Sequence, residues 1–299
     1  MSADTAAHAP DASREDRRPQ WDSAQLDLDG YLARIGYSGE LAPTLATLRT
    51  LMWAHTHTVP FENLDIQLNG EIRLDLASLQ DKLVWQRRGG YCHEHNTLFG
   101  TVLDRLGFPV ELRSARMLLG ADERTVDAVG HTIPVVTVDG VSWLVDVGVG
   151  NTGPLEPIPL VDGTRLDHGG WHYRMDLSNA GRWVVRLWRP EGWFPLYQFS
   201  EEPYYHPDVR DHNYVAATHP ESPFVRRLIV ERNGAAERWS LVDCRLDVHR
   251  PDRPKERREL CPAEVLELLT TRFELELAPQ SRVWLVELLE RRLAEGQPD

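Results

Sequence analysis

Three cysteines in 299 residues, at Cys92, Cys244 and Cys261, are too few and too widely spaced for a disulfide framework and fit a reducing compartment. No apolar run approaches the ~18 residues that a membrane helix needs, so no membrane partner is expected. The first twenty-odd residues mix Asp, Arg, Pro and Ala without an apolar core segment. They read as a solvated, disordered tail over residues 1–25 and not as a signal peptide, and the cytoplasm is the expected location. Positive charge is in deficit. With 33 Lys and Arg against 46 Asp and Glu, the net charge of -13 speaks against nucleic acid as a partner, because neutralising phosphates needs a basic face. Any anionic co-substrate must find a local positive patch. HExxH and paired CxxC motifs are also missing, although there are twelve histidines. The close pairs His55/His57, His93/His95 and His168/His172 therefore point to no metal.

What is present fits a globular enzyme of two or three packed substructures, with 41% apolar and 26% charged residues in a chain too long for one simple core. From Leu41 to Thr56, apolar positions recur at three- and four-residue steps with Pro43 near the start, which predicts an amphipathic helix. A second helix begins near Cys92, carries Leu98, Phe99, Val102, Leu103 and Leu106 on one side, and ends at Gly107 and Pro109. Short β-rich runs come next at Val110 to Leu118, His131 to Val138, Val141 to Val147 and Trp183 to Trp188, broken by Asp-Gly and Gly-Gly turns, and predict an antiparallel sheet or small barrel. Trp171, Trp183, Trp188 and Trp193 are expected as its core and rim. Past Asp211, strands at Leu228 to Glu231 and Arg238 to Val242, a charged loop from His249 to Glu259, and helices at Pro262 to Thr271 and Ser281 to Ala294 predict an α/β lid. The fold class is α+β: a helical domain over 26–112, a central antiparallel β-barrel over 113–210 and an α/β lid over 211–299.

The chemistry concentrates in Arg87-Arg88-Gly89-Gly90-Tyr91-Cys92-His93-Glu94-His95-Asn96, where a glycine-rich loop turns into a helix. A helix N-terminus carries roughly half a positive charge and free N–H groups, which favour a thiolate and can hold an oxyanion. Alone, this motif reads by default as a small buried cysteine. A second stretch adds to it. Asp139-Gly140 between two apolar runs is a two-residue hairpin signal that sets Val138 opposite Val141 and Ile133 opposite Asp146. His131 then projects from the same face as Asp146, on the diagonal, roughly 7–8 Å away at the α-carbons. Cys92, His131 and Asp146 together make a candidate thiolate triad in which the carboxylate orients the imidazole and the imidazolium stabilises the thiolate.

At these residues the chain resembles the arylamine N-acetyltransferases. The resemblance rests on ordered blocks: Val59-Pro-Phe-Glu-Asn-Leu-Asp65, Arg88-Gly-Gly-Tyr-Cys-His-Glu-His-Asn96, His131, Leu144-Val-Asp-Val-Gly-Val-Gly150, Leu196-Tyr-Gln-Phe199 and Thr218-His-Pro-Glu-Ser-Pro-Phe224. It implies a fold related to the cysteine protease and transglutaminase superfamily and a ping-pong reaction. In that reaction Cys92 takes an acetyl group from acetyl-CoA, used as a co-substrate and not permanently bound, and hands it to an aromatic amine, hydrazine or hydroxylamine. The same resemblance places Phe61, His93 and Val149 at the acceptor site. Two of these depart from the family pattern, since His93 and Val149 stand where aromatic residues are usual, and Val149 implies a wider acceptor pocket. Arg226, Arg227, Arg232 and Arg238 form the nearest thing to a basic cluster, with Arg226 and Arg227 the candidates for CoA phosphates. The rival readings are an amide synthase acting on a carrier-bound acyl chain, a cysteine hydrolase, and a binding module with an inert Cys92.

Overall fold

The structure is a computed structural model that describes residues 21–124, 128–234, 236–251 and 253–296. Most of the tail expected over 1–25 lies outside these residues, but its last part is ordered. The Trp21 ring packs where Gly100 has no side chain, and Ser23 Oγ donates to Asp104 at 2.5 Å.

The first third is helical: α1 (Leu28–Ile35), α2 (Leu45–Thr58), the short α3 (Leu64–Gln67) and α4 (Leu76–Leu79), and α5 (Cys92–Arg105). Helix α2 starts later than its periodicity suggested, because the Thr44 side chain caps it by accepting from Thr47 N. Between α2 and α3 lies a two-residue strand, β1 (Phe61–Glu62). Helix α5 is buried over twelve of its fourteen residues and runs through the middle of the helical core. A helix so enclosed cannot be amphipathic in the ordinary sense. It buries Leu98, Phe99, Val102 and Leu103 against α1 and α2, and its polar Asn96 and His95 against hydrogen-bond partners.

The central segment forms β2 (Val110–Met117), β3 (His131–Val138), β4 (Val141–Leu144), β5 (Ile158–Pro159), β6 (Thr164–His168), β7 (Trp171–Leu177), β8 (Trp183–Arg189) and β9 (Gly192–Phe199). They pair antiparallel in the order β5-β4-β3-β2-β9-β8-β7-β6, a barrel-like sheet in which no ladder among the described residues joins the two outer strands. Asp139 and Gly140 both take positive φ, 50° and 76°, as a type I′ turn requires, and the ladder pairs Val138 with Val141 and Val135 with Leu144. Strand β4 stops at Leu144, short of the predicted Val147, because Asp146 and Val147 turn their polar groups toward α5. Trp171 and Trp183 are buried in the barrel core, and Trp188 and Trp193 meet edge-to-face at its rim.

After α6 (His206–Thr218) and α7 (Pro223–Arg226) come β10 (Ile229–Asn233), β11 (Arg238–Val242), β12 (Arg245–His249) and β13 (Glu256–Glu259), then α8 (Pro262–Thr271) and α9 (Pro279–Glu295). The sheet order is β1-β10-β11-β12-β13, so the helical third donates a strand to the C-terminal sheet. The loop expected from His249 to Glu259 contains β13. Its four exposed, charged residues show no alternation because it is an edge strand, held by Arg257 and neighbouring Lys255 on Asp247. Helices α8 and α9 cover this sheet with Val265, Leu269, Leu285 and Leu289.

Candidate active site

The turn before α5 is set by close packing. A Cβ on Gly89 would lie 2.0 Å from Pro60 O, so only glycine fits, and Glu62 N donates to Gly90 O at 2.8 Å. Behind it, Arg88 bonds Glu62 and Asp65, while Lys82 bridges Asp65 and Glu94 at 2.7 Å each. Glu94 Oε2 accepts from Tyr91 N at 3.1 Å, which satisfies an N-terminal donor and leaves Cys92 as the first residue of α5.

A second buried line anchors the same helix. Tyr31 OH meets His55 Nδ1 at 2.8 Å, His55 Nε2 meets His95 Nδ1 at 2.8 Å, and His95 Nε2 meets Pro60 O at 3.1 Å. The terminal carbonyl can only accept, so one proton order runs through the chain, with both imidazoles neutral and Tyr31 donating. Burial is the main cause that drives both away from protonation, His55 well below 6.5 and His95 to about 4. These histidines therefore tie α2 to α5 as neutral hydrogen-bonding groups. Among the described residues, no cluster of three or more His, Cys, Asp or Glu is placed to hold a metal.

The structure brings the three predicted residues together. Cys92 is buried, with its sulfur 4.0 Å from Gly130 O. His131 opens β3 and its Nε2 stands 2.7 Å from Asp146 Oδ2, both side chains fully enclosed. An ionised carboxylate can only accept, so Nε2 carries a hydrogen and Nδ1 remains for the thiol, which acts on the imidazole beside Asp146. Burial works against the imidazolium, but the Asp146 charge and hydrogen bond, followed by Cys92, outweigh it and raise His131 to about 10. Burial pushes the Asp146 carboxyl up, but His131, Asn96 and Gly148 N together hold it below the usual range. The Tyr197 ring packs on the imidazole at 5.3 Å between centroids.

Asn96 is the functional residue that motif reading overlooked. Its Nδ2 donates to Thr132 O at 2.6 Å and Asp146 Oδ1 at 2.8 Å, and its Oδ1 accepts from Val147 N at 3.0 Å. It thus locks the nucleophile helix to the strand with the histidine and the turn with the aspartate. Its position four residues after Cys92, on the same helix face, was the available signal. Gly148 lets the turn close: a Cβ there would lie 2.6 Å from Asn96 Nδ2 and 2.8 Å from Cys92 Cα.

The thiol faces an apolar surround. Phe61, Ile66, Ile72, Tyr91 and Cys92 form one buried cluster, with Ala216, Ala217, Phe224, Val225 and Ile229 packed against it. His93 is fully buried with Nδ1 2.9 Å from Thr132 Oγ1, and burial, then His131 and His212, push it down to about 3. Val149 is half-buried and packs on the barrel core. Arg226 sits exposed at the end of α7 beside Glu221, and Arg227 comes next, half-buried. The expected basic cluster is not one patch. Arg232 pairs with Glu274 at 2.9 Å, and Arg238 is wholly buried, because its strand position faces the barrel and not solvent.

A buried thiol at a helix N-terminus, paired with an imidazole and a carboxylate inside an apolar pocket, can accept and release acyl groups. Comparisons with known proteins agree. A family model described as N-acetyltransferase matches residues 44–283. The arylamine N-acetyltransferase of Mycolicibacterium smegmatis is 38% identical over 256 residues, covering 84% of this chain and 93% of that protein. The crystal structure of the Nocardia farcinica arylamine N-acetyltransferase superposes with a TM-score of 0.86 at 40% identity, over 91% of this chain and 98% of that one. The Mycobacterium marinum arylamine N-acetyltransferase in complex with CoA gives 0.83 at 36% identity, over 89% and 99%. Sequence likeness and superposition both extend over nearly the whole length of these relatives, well beyond the residues around the thiol, and by that measure the chain belongs to the arylamine N-acetyltransferase family.

Proposed function

We propose that the protein transfers an acetyl group from acetyl-CoA to an aromatic amine, hydrazine or hydroxylamine through a thioester on Cys92. The observation that carries this reading is the 2.7 Å contact between His131 Nε2 and Asp146, which leaves the other imidazole nitrogen to the thiol inside an apolar cluster. The Cys92 thiolate attacks the thioester carbonyl, the new C–S bond forms, and the CoA thiolate leaves with the proton held by His131. The amine then attacks the acetyl-cysteine, the C–S bond breaks, and the amine proton returns to His131. A thioester suits this task because exchange between thiols is nearly thermoneutral, leaving the acyl group reactive toward a weakly basic aromatic amine.

Phe61 and Val149 are assigned to the acceptor side, with His93 shaping that wall from behind through Thr132. Arg226 and Arg227 are assigned to the CoA phosphates, since Phe224 and Val225 of the same short helix pack on the cluster that contains Cys92. Three domains, 26–112, 113–210 and 211–299, are assigned because three buried clusters each draw mostly on one of these segments, with Val136, Val138, Val145 and Val147 joining the first and Leu64 the third. Among the described residues no helix is long and apolar enough to cross a membrane. The test is direct. Protein given acetyl-CoA without amine should gain one acetyl mass on Cys92, and Cys92→Ala should lose both that mass and amine-dependent CoA release; substantial turnover by the alanine variant would refute the mechanism.

A further inference from the structure

Five of the buried polar atoms that lack a hydrogen-bond partner gather at one junction away from the triad. They are Arg238 Nε and Nη2, Trp171 Nε1, His57 Nε2 and Asn233 Oδ1. Here α2, the start of β7 and the C-terminal sheet meet. Arg238 stands opposite Asn233 on β10 and His249 on β12, and its guanidinium carbon lies 3.9 Å from the centre of the Trp171 ring. Asn233 Nδ2 donates to Thr56 O at 3.2 Å, which brings the neighbouring His57 to the same place.

Arg238 is fully buried and makes three bonds through Nη1 alone, to Asn151 O at 2.8 Å, Gly153 O at 3.2 Å and Tyr173 OH at 2.9 Å. All three partners are neutral. Among the described residues no carboxylate forms an ion pair with it, and Glu231 acts on it only through space. Glu231, two residues before Asn233 and so on the same face, has its oxygens taken by Asn151 N at 3.0 Å and Ser240 Oγ at 2.7 Å; burial raises its carboxyl above the ordinary value, against those two hydrogen bonds and the Arg238 charge. The nearby imidazoles of His57, His168 and His249 add no negative charge, and burial followed by neighbouring charges, Arg238 among them, keeps them from adding positive charge. The junction therefore holds one buried cation with unused donors, joined by the Trp171 N–H. Water can satisfy these donors, but an anion satisfies them and also stands in direct contact with the guanidinium, where no carboxylate does, and buried charges are ordinarily paired.

A cleft of about 510 Å³ shares part of its wall with this junction. It opens between the barrel and the turn after β12, with Asn151, Trp171 and His249 in its wall and Arg189, Glu191 and Lys255 among its other lining residues. We propose that the Arg238 junction is an internal binding site for a small monovalent anion such as chloride, reached through this cleft and held by the guanidinium and the Trp171 indole N–H. Because Arg238 also fixes Asn151 and Gly153, the occupied site braces the loop that runs on from Val149. The proposal is independent of the acyl-transfer reading.

The test uses the full chain, melted at constant ionic strength while sodium gluconate is replaced by sodium chloride or bromide. A ligand that binds only the folded state raises the melting temperature along a saturating curve. Chloride and bromide should do so for the wild type. Trp171→Phe keeps the ring over Arg238 and removes one donor, and should raise the half-saturating concentration roughly tenfold or more. Arg238→Gln, where it folds, should abolish the saturable component. Crystals soaked in bromide should show an anomalous peak within hydrogen-bond distance of Arg238 Nη2 and Trp171 Nε1. A non-saturating salt response that is the same in wild type and Trp171→Phe overturns the proposal, as does a bromide map with no peak at this junction.

Discussion

Replacing Asp146 by Asn removes a charge with almost no change in shape, and the hydrogen bonds around that side chain dictate the outcome. Asp146 Oδ1 accepts from Asn96 Nδ2 and Gly148 N, at 2.8 and 2.9 Å, so in the variant the amide oxygen must stay on that side. The new NH2 then faces His131 Nε2, which has to become an acceptor. The imidazole is left with its hydrogen on Nδ1, pointing at the thiol, and cannot take the thiol proton. Without the carboxylate charge and hydrogen bond, burial of His131 is opposed only by Cys92, and its pKa falls from about 10. At about 1.4 kcal/mol per pH unit, the imidazolium loses support on the order of a few kcal/mol. Alkylation of Cys92 by iodoacetamide at pH 7 should therefore slow, and its pH profile should change, because the imidazole no longer accepts the thiol proton. Amine acetylation should fall further, by about 10³ to 10⁴, because the wrong tautomer also fails in proton transfer. Circular dichroism should show the fold intact. An alkylation profile that superposes on the wild type would show that Asp146 does not orient His131.

Asn96→Ala should leave Val147 N and Thr132 O without their buried partner and cost about 2–4 kcal/mol of stability, read as a lowered urea midpoint, together with a loss of activity larger than the unfolded fraction explains. Val149→Phe should raise the specificity ratio for a single-ring arylamine over a naphthylamine roughly tenfold while leaving the acetylation burst unchanged; an unmoved ratio would remove Val149 from the acceptor wall. The His55–His95 pair gives a pH dependence of definite sign. Both folded-state pKa values are depressed, so their contribution is complete above the unfolded value near 6.5 and is lost as pH falls toward about 4. The wild-type melting temperature should drop across that window, and the drop should shrink in His95→Gln.

Much of this molecule is written locally. The Asp139-Gly140 turn sets the β3–β4 register because only residues tolerant of positive φ continue a twisted hairpin there, and the pairing of Val138 with Val141 comes from the dipeptide itself. Helix α8 begins at Pro262 and ends at Thr271 as its sequence pattern predicts, with Glu264 capping the backbone of Cys261. Cys92 at a helix start, and His131 within reach of Asp146, are likewise readable, since each depends on residues no more than fifteen apart. The tertiary structure alone decided the rest. Asn96 becomes the link between nucleophile and aspartate only when a turn 50 residues away reaches it. Strand β1 pairs with β10 across a span in which neither segment carries a signal for the other. Strand β13, fully exposed and charged, has no hydrophobic period to announce it and is specified by Asp247 on its neighbour. Arg238 looks in sequence like one of several surface arginines, and its burial results from the face that β11 turns toward the barrel. Turn types and caps are set by neighbouring residues through short-range sterics, whereas burial of a charge or an amide is set by whatever the packed chain brings against it.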